Sequence, residues 1–202
     1  MIIKAYNNQL RTSDLTLVAK TLQKGGIIIY PTDSVYAFAC LPEHQNAVDK
    51  ICLIRNIPAK QPKLTLICKD IAQVRQYTLF SDDTFKLIKA YTPGPYTFIL
   101  QGNNKLPKAF KGRKTVGIRI ANHPIPAAIV EETQSPLMTA SMRAPIDNDI
   151  EYMTDPELMA EMYPDIDIII DGGIGQTTPS TIIDCTEEEP IILRQGIGEL
   201  AL

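Results

Sequence analysis

The chain of 202 residues is 45% apolar and 21% charged, a composition typical of a globular protein with a substantial buried core. No apolar run approaches the length that crosses a bilayer, and residues 1–6 are too short and too soon polar for a signal peptide. The four cysteines lack a CxxC spacing and the two histidines are distant, so we predict no structural zinc site and no other protein-bound metal. The lack of a long apolar run predicts no membrane contact. Free cysteines are typical of a reducing compartment, so we predict a cytoplasmic location.

Strands and helices are predicted along the whole chain, bounded by glycine, proline and capping residues. The predicted strands are 1–6, 27–30, 64–68, 96–100, 116–120, 137–141, 166–170, 181–184 and 191–194. The predicted helices are 13–23, 46–55, 82–91, 124–132 and 156–162, and the proline- and acid-rich stretch 144–151 could form a mobile flap. Because several strands follow one another without a helix between them, we expect a mixed sheet. We expect the whole chain, 1–202, to form one α/β domain.

Three small polar residues follow the second predicted strand at once. Pro31 ends that strand, because it has no N–H to donate, and Thr32, Asp33 and Ser34 come next. In open α/β sheets ligands bind in the crevice outside the strand ends, so these side chains are candidates for a site. The alternative is an N-cap, in which Asp33 and Ser34 only satisfy the free amides of a following short helix.

Charge is separated along the chain although the net charge is only −3. Residues 55–119 hold thirteen Lys/Arg and three Asp/Glu, whereas residues 120–202 hold two and sixteen. The densest basic stretch is 105–114, with five cations and no acid. This separation favours contact with an anionic ligand or a nucleic acid. The alternative is a solvated loop whose charges fold back on the acidic third.

Arginines and small hydroxyls recur at the predicted strand ends. They are Thr32, Ser34, Arg55, Arg119, Ser141, Arg143, Ser180, Thr181 and Arg194. Guanidinium groups bind phosphates and carboxylates through two parallel hydrogen bonds. The sequence has no Walker loop, no GxGxxG dinucleotide motif and no GxSxG elbow. Residue types alone therefore predict an anion-binding α/β protein, with a nucleotide as one candidate ligand.

Six motifs, in order and in spacing, resemble the YrdC/YciO family over nearly the whole chain. They are YPTDSVY at 30–36, TPGPYTF at 92–98, VGIR at 116–119, IIIDGG at 168–173, PSTIID at 179–184 and LRQG at 193–196. The resemblance implies a YrdC-like twisted mixed sheet with helices around a basic concave cavity. It also implies the family reaction, in which L-threonine, bicarbonate and ATP give threonylcarbamoyl-AMP and pyrophosphate, and a link to tRNA threonylcarbamoyladenosine modification.

The same resemblance implies roles for individual residues. Thr32 would help bind threonine with Ser34 close by, Arg119 would hold its carboxylate, and Ser180 would lie beside it. The nucleotide would contact Arg55, Ser141 and Arg194, and Mg²⁺ would arrive with the ATP phosphates rather than in a protein cage. We take Arg55, Ser141 and Arg143 as the candidate catalytic residues.

Two departures from the family pattern resemble the YciO branch. The usual Lys-x-Arg before a proline is here Arg55-Asn56-Ile57, and the usual Ser-x-Asn is here Ser141-Met142-Arg143. Arg143 could restore the positive charge lost at Ile57. The alternative is a protein that keeps the cavity but binds double-stranded RNA or tRNA without the standard reaction, as has been credited to family members.

Overall fold

The computed structural model describes residues 1–58, 64–110, 112–143 and 150–200. Residues 144–149 of the predicted flap and Lys111 of the basic stretch lie outside the described residues. The described strands are β1 (Ile2–Lys4), β2 (Ile28–Tyr30), β3 (Ala37–Cys40), β4 (Thr65–Ile67), β5 (Thr78–Leu79), β6 (Tyr96–Gly102), β7 (Thr115–Arg119), β8 (Leu137–Ser141), β9 (Ile168–Asp171), β10 (Thr181–Asp184) and β11 (Ile191–Arg194). The helices are α1 (Thr12–Gln23), α2 (Gln45–Ile54), α3 (Ile71–Tyr77), α4 (Asp82–Tyr91), α5 (Pro124–Thr133) and α6 (Pro156–Met162).

All eleven described strands belong to one sheet, in the order β1-β9-β2-β3-β8-β4-β7-β6-β10-β11, with β5 paired to β6. Four neighbouring pairs are parallel (β1/β9, β2/β9, β4/β7 and β6/β10), and the other pairs are antiparallel. The prediction of a mixed sheet is therefore confirmed. The assignment of the whole of 1–202 to one domain stays a prediction.

Alternating side chains of the strands pack on opposite faces of the sheet. Ile29 lies in the core that contains α2, whereas Ile28 and Tyr30 lie in the core that contains α1 and α5. The apolar face of α1 supplies Val18 and Leu22 to that second core. The sheet is thus covered on both faces. No helix in the described part of the chain is long and apolar enough to cross a membrane.

The N-cap interpretation of Asp33 and Ser34 is wrong, because no helix follows them. The chain turns at Pro31–Tyr36 and continues as β3, which pairs antiparallel with β2. Strand β3 escaped prediction because its sequence Ala-Phe-Ala-Cys is short and lacks alternation; all four residues are buried. Helix α3 was also missed, although Asp70 caps it by accepting a hydrogen bond from the Gln73 amide.

Candidate functional site

A cavity of about 520 Å³ lies over the middle of the sheet. Seven strands that are adjacent in the sheet, β2, β3, β8, β4, β7, β6 and β10, contribute to its wall. The segments after β2, α2 and β8, the segment before β10, Met153 and the end of β11 complete it. Seven predicted site residues line this cavity: Thr32, Arg55, Arg119, Ser141, Arg143, Ser180 and Arg194. They come from positions up to 162 residues apart in sequence, so the tertiary fold brings them together.

Thr181 does not line this cavity, and its hydroxyl donates to the Gly198 carbonyl instead. Ser34 is the other predicted residue that lies elsewhere. It is buried against a smaller neighbouring cavity of about 260 Å³, which also touches Thr32. The Thr32 hydroxyl donates to the Val35 carbonyl at 2.8 Å and accepts from the Ser34 amide at 3.0 Å. The Ser34 hydroxyl lies 3.1 Å from that of Thr32. Ser34 therefore supports the loop that carries Thr32, and Thr32 is the one described residue that borders both cavities.

Threonines on the central strands add hydroxyls to the cavity wall and were not predicted as site residues. They are Thr65 on β4, Thr97 on β6 and Thr139 on β8. Gly117, on the strand between β4 and β6, leaves room for two of them, since an added Cβ would lie 3.1 Å from the Thr65 hydroxyl and 3.4 Å from the Thr97 methyl group. In the sequence each of these residues is an isolated threonine in an apolar strand. Threonine is common in strands of any sheet, so this pattern does not identify a site residue.

Arg119 is held by a buried ion pair with Asp33. Nη2 of Arg119 donates to Oδ1 of Asp33, and the two side chains are only 5% and 11% exposed. Oδ2 of Asp33 accepts a hydrogen bond from the Asn122 amide at 2.7 Å. Both carboxylate oxygens are thus engaged by the protein itself. Orientation of a substrate ammonium by Asp33 would need a further contact to these oxygens.

The Ser180 segment joins β6, β10 and β11 at the cavity. The Ser180 and Thr97 hydroxyls lie 3.0 Å apart, and both residues are buried. Arg194 donates to the Ser180 carbonyl from Nη2 at 2.7 Å and from Nε at 3.1 Å. Because two donors of one guanidinium share one acceptor, the orientation of Arg194 is fixed beside the cavity.

Four arginines raise the positive potential of the cavity, and none of the described residues that line it is a carboxylate. Burial lowers the pKa of Arg55, and the charge of Arg143 lowers it further. Burial likewise lowers the pKa of Arg194, followed by the charges of Arg143 and Arg119. Such mutual destabilisation of cations is relieved when an anion binds between them.

Two guanidinium groups in the cavity retain unused donors. Nε of Arg55 and Nε of Arg119 are buried, and within the described part of the chain neither has a hydrogen-bond partner. A buried donor without an acceptor costs free energy, about 1–3 kcal/mol or more for a charged group. An anionic ligand would supply the missing acceptors.

The two positions where the sequence departs from the family pattern, Ile57 and Arg143, both line the cavity. Ile57 lines the cavity just after Arg55, and Met153, from a short 3-10 helix at Ile150–Met153, adds a second apolar side chain. Ser141 ends β8 opposite Ala37 of β3. Arg143 follows two residues later and is solvent-exposed. Across the described residues there is no group of three or more His, Cys, Asp or Glu side chains able to hold a metal ion.

Comparison with known proteins identifies the family. A family model described as telomere recombination, covering Sua5, YciO and YrdC proteins, matches residues 20–196. The chain belongs to the Sua5/YciO/YrdC family. YciO of Escherichia coli (strain K12) is 37% identical over 182 residues, which cover 89% of this chain and 87% of that protein. A threonylcarbamoyl-AMP synthase of Vibrio vulnificus is 30% identical over 189 residues, 91% of this chain and 99% of the synthase.

Solved structures agree with this assignment. The crystal structure of E. coli YciO superposes with a TM-score of 0.90 at 33% identity and covers 98% of this chain and 97% of that one. P. abyssi Sua5 in complex with L-threonine gives a TM-score of 0.83 at 26% identity, covering 97% of this chain but 57% of that one. The predicted YrdC-like fold is confirmed, and this protein is related to threonylcarbamoyl-AMP synthase.

Proposed function

We propose that this protein is a nucleotidyltransferase that converts L-threonine, bicarbonate and ATP into threonylcarbamoyl-AMP and pyrophosphate. The observation that carries the proposal is the pair of buried, unpartnered Nε donors of Arg55 and Arg119 in one hydroxyl-lined cavity. The 30% identity to a threonylcarbamoyl-AMP synthase and the similarity to a Sua5 structure that contains L-threonine support the choice of substrates. The product would supply tRNA threonylcarbamoyladenosine modification.

The inner end of the cavity suits the amino acid. We define it by its buried residues Thr32, Thr97, Arg119 and Ser180. Arg119 would bind the threonine carboxylate through its free Nε, and hydrogen bonds of this charge-assisted type are about twice as strong as neutral ones. The hydroxyls of Thr32 and Ser180 would complete the polar surroundings. The threonine amine would then point toward the outer end, where bicarbonate and ATP would meet it.

The outer end suits a polyphosphate. It is formed by Arg55, Ser141, Arg143 and Arg194, of which Arg143 is exposed and both Arg55 and Arg194 are half-buried. Arg143 lies close enough to Arg55 and Arg194 to lower the pKa of both. The three guanidinium groups would bind ATP phosphates and stabilise the charge that develops on them. Mg²⁺ would bridge the phosphates, with water as its remaining ligands.

The proposed reaction has two steps that balance. The threonine nitrogen first attacks bicarbonate carbon, forming the N-carboxylate (carbamate) with loss of water. A carbamate oxygen then attacks the α-phosphorus of ATP, and the bond to the β-phosphate bridge breaks to release pyrophosphate. No covalent enzyme intermediate is needed, so the residues act by orientation and by electrostatic stabilisation of phosphate oxygens.

Pyrophosphate release tests the proposal. ATP, Mg²⁺ and bicarbonate are incubated with the protein, with and without L-threonine, and pyrophosphate is measured by a coupled assay. We expect release that depends on both threonine and bicarbonate and that falls at least about a hundredfold in Arg55→Ala, since removal of one fixed transition-state donor costs about two to three decades. Release without threonine dependence would contradict the proposed substrate.

RNA binding is the second candidate, and exposed cations favour it. Lys105, Lys108 and Lys114 lie on the surface between β6 and β7, in the basic third of the chain. If tRNA or double-stranded RNA binds there, its affinity should fall by about one log unit per log salt for each phosphate neutralised. Filter binding at several salt concentrations measures this slope. A slope that is unchanged in the Lys105→Ala, Lys108→Ala, Lys114→Ala triple variant would exclude this surface.

A further inference from the structure

The two ends of the cavity differ in how their arginines are neutralised. Arg119, at the inner end, is paired with Asp33 and nearly inaccessible to solvent. For Arg55, Arg143 and Arg194 the described residues provide no ion pair with an acidic side chain. The inner end therefore presents hydrogen-bond donors with little net charge, whereas the outer end presents donors with a net positive charge.

Asp33 reaches Arg119 from outside the larger cavity. Its side chain borders the smaller cavity, and Arg119 borders the larger one, so the ion pair forms part of the partition between them. The Asn122 amide fixes the second carboxylate oxygen at 2.7 Å. Asp33 can therefore orient Arg119 and neutralise it without itself lining the proposed threonine site.

We propose that Asp33 is a specificity-determining residue, which reserves the inner end for the carboxylate of a zwitterionic amino acid and leaves polyphosphates to the outer arginines. This inference rests on the proposed function. A zwitterion has no net charge, so it binds well to a fixed donor array of low net charge, whereas phosphate and pyrophosphate gain most from unneutralised cations. The pairing of Arg119 thus keeps the two substrates in their own halves of the cavity.

The change Asp33→Asn alters charge and hydrogen bonding while keeping the shape of the side chain. The inner end gains one positive charge, which attracts inorganic anions and repels the threonine ammonium. An asparagine side chain also carries only one acceptor oxygen, so either Arg119 or the Asn122 amide loses its partner. Arg119 is then less firmly oriented, and binding of the carboxylate weakens further.

Calorimetric titration of the wild-type protein and of Asp33→Asn with L-threonine and with inorganic phosphate tests the inference. We expect the variant to bind threonine about tenfold more weakly and phosphate several-fold more tightly. Asp33→Glu keeps the charge and should leave phosphate affinity near the wild-type value. Asp83→Asn is the matched control, because it removes an exposed carboxylate that pairs with Lys86 on the surface.

The opposite signs of the two effects separate specificity from damage to the fold. If Asp33→Asn weakens both ligands or changes neither, the inference is overturned. Ligand competition on the wild-type protein is a second test. Phosphate should displace ATP but leave threonine affinity unchanged. Competition between phosphate and threonine would overturn the inference. If the wild-type protein does not bind threonine at all, the proposed function fails, and the phosphate affinity of Asp33→Asn still decides the role of Asp33.

Discussion

The guanidinium of Arg194 lies against the carbonyl oxygen of Ser180, with its Nη2 at 2.7 Å and its Nε at 3.1 Å. This contact joins the end of β11 to the residue that precedes β10. The Ser180 hydroxyl, in turn, lies 3.0 Å from that of Thr97 on β6. A backbone acceptor therefore positions a cation of the proposed nucleotide site and links it to the hydroxyls of the proposed threonine site.

Arg194→Lys should weaken ATP binding about tenfold while leaving threonine affinity nearly unchanged. Lysine keeps the charge but loses the fork of donors that shares the Ser180 carbonyl, so its ammonium is not held in one orientation. Calorimetric titration with ATP and Mg²⁺ measures the effect. Arg75→Lys is the control, since Arg75 stacks on Phe80 and Phe85 and does not line the cavity. Equal ATP affinities for both variants would contradict the role given to Arg194.

Arg143→Asn should weaken ATP binding by about fivefold, because an exposed charge contributes up to about 1 kcal/mol. The exposed Arg143 lies close enough to Arg55 and Arg194 to lower the pKa of both. Lys114→Asn removes an exposed cation that does not line the cavity and should leave ATP affinity unchanged. Unchanged affinity in Arg143→Asn would show that Arg143 does not compensate for Ile57.

A buried hydroxyl pair in the cavity wall should contribute to stability. The Tyr30 hydroxyl donates to that of Thr139 at 3.1 Å, and Thr139 donates to the Phe38 carbonyl at 2.8 Å. Tyr30→Phe should lower the free energy of unfolding by about 1 kcal/mol. Thr139→Val should cost more, about 1–3 kcal/mol, because it leaves the Tyr30 hydroxyl buried without its acceptor. Urea unfolding of both single variants and of the double variant measures these costs; strictly additive costs would contradict the coupling.

Alkaline pH should destabilise the fold through its buried thiols. Burial raises the pKa of Cys40 from the ordinary 9.0 to about 12, and burial also raises the pKa of Cys68. Above about pH 9 the unfolded chain loses these protons and the folded protein retains them, so stability that is complete below pH 9 is lost as pH rises toward 12. Each thiol contributes a slope of about 1.4 kcal/mol per pH unit.

Urea unfolding between pH 7 and about pH 10.5, under reducing conditions, measures this slope. Cys40→Ala should be less stable than wild type at pH 7, because it removes a buried side chain, but its stability should fall less steeply above pH 9. Identical slopes for the wild-type protein and Cys40→Ala would contradict the raised pKa of Cys40.

Much of the fold was predictable because its longer elements carry periodic apolar residues and clear caps. Helix α4 begins after Ser81, whose hydroxyl accepts from the Thr84 amide, and strands β8, β10 and β11 have the predicted bounds. Helix α5 begins after His123, whose Nδ1 accepts from the Ile125 amide. The short β3 and β5 were missed because neighbouring strands, rather than their own sequences, specify them.

The site was predictable in its charged residues and not in its supporting ones. Arginines among apolar elements are unusual enough to be noticed in a sequence, and four of them line the cavity. Arg119 and Arg194 end strands, whereas Arg55 follows α2 and Arg143 follows β8. The pairing of Asp33 with Arg119 joins positions 86 residues apart, and the Ser180–Thr97 contact joins positions 83 apart. Such contacts depend on the strand order β7-β6-β10 and on the loop after β2, which no local pattern encodes. The catalytic and binding roles of these residues stay predictions.

The most direct test of the central claim follows the carbon of bicarbonate. The protein is incubated with L-threonine, ATP, Mg²⁺ and isotopically labelled bicarbonate. The nucleotide products are separated, and their masses are measured by mass spectrometry. We predict an AMP ester that contains both the threonine mass and the labelled carbon, formed with one pyrophosphate per molecule. Unlabelled AMP or ADP alone, with no threonine-containing nucleotide, would contradict the proposal that this cavity joins threonine, bicarbonate and ATP.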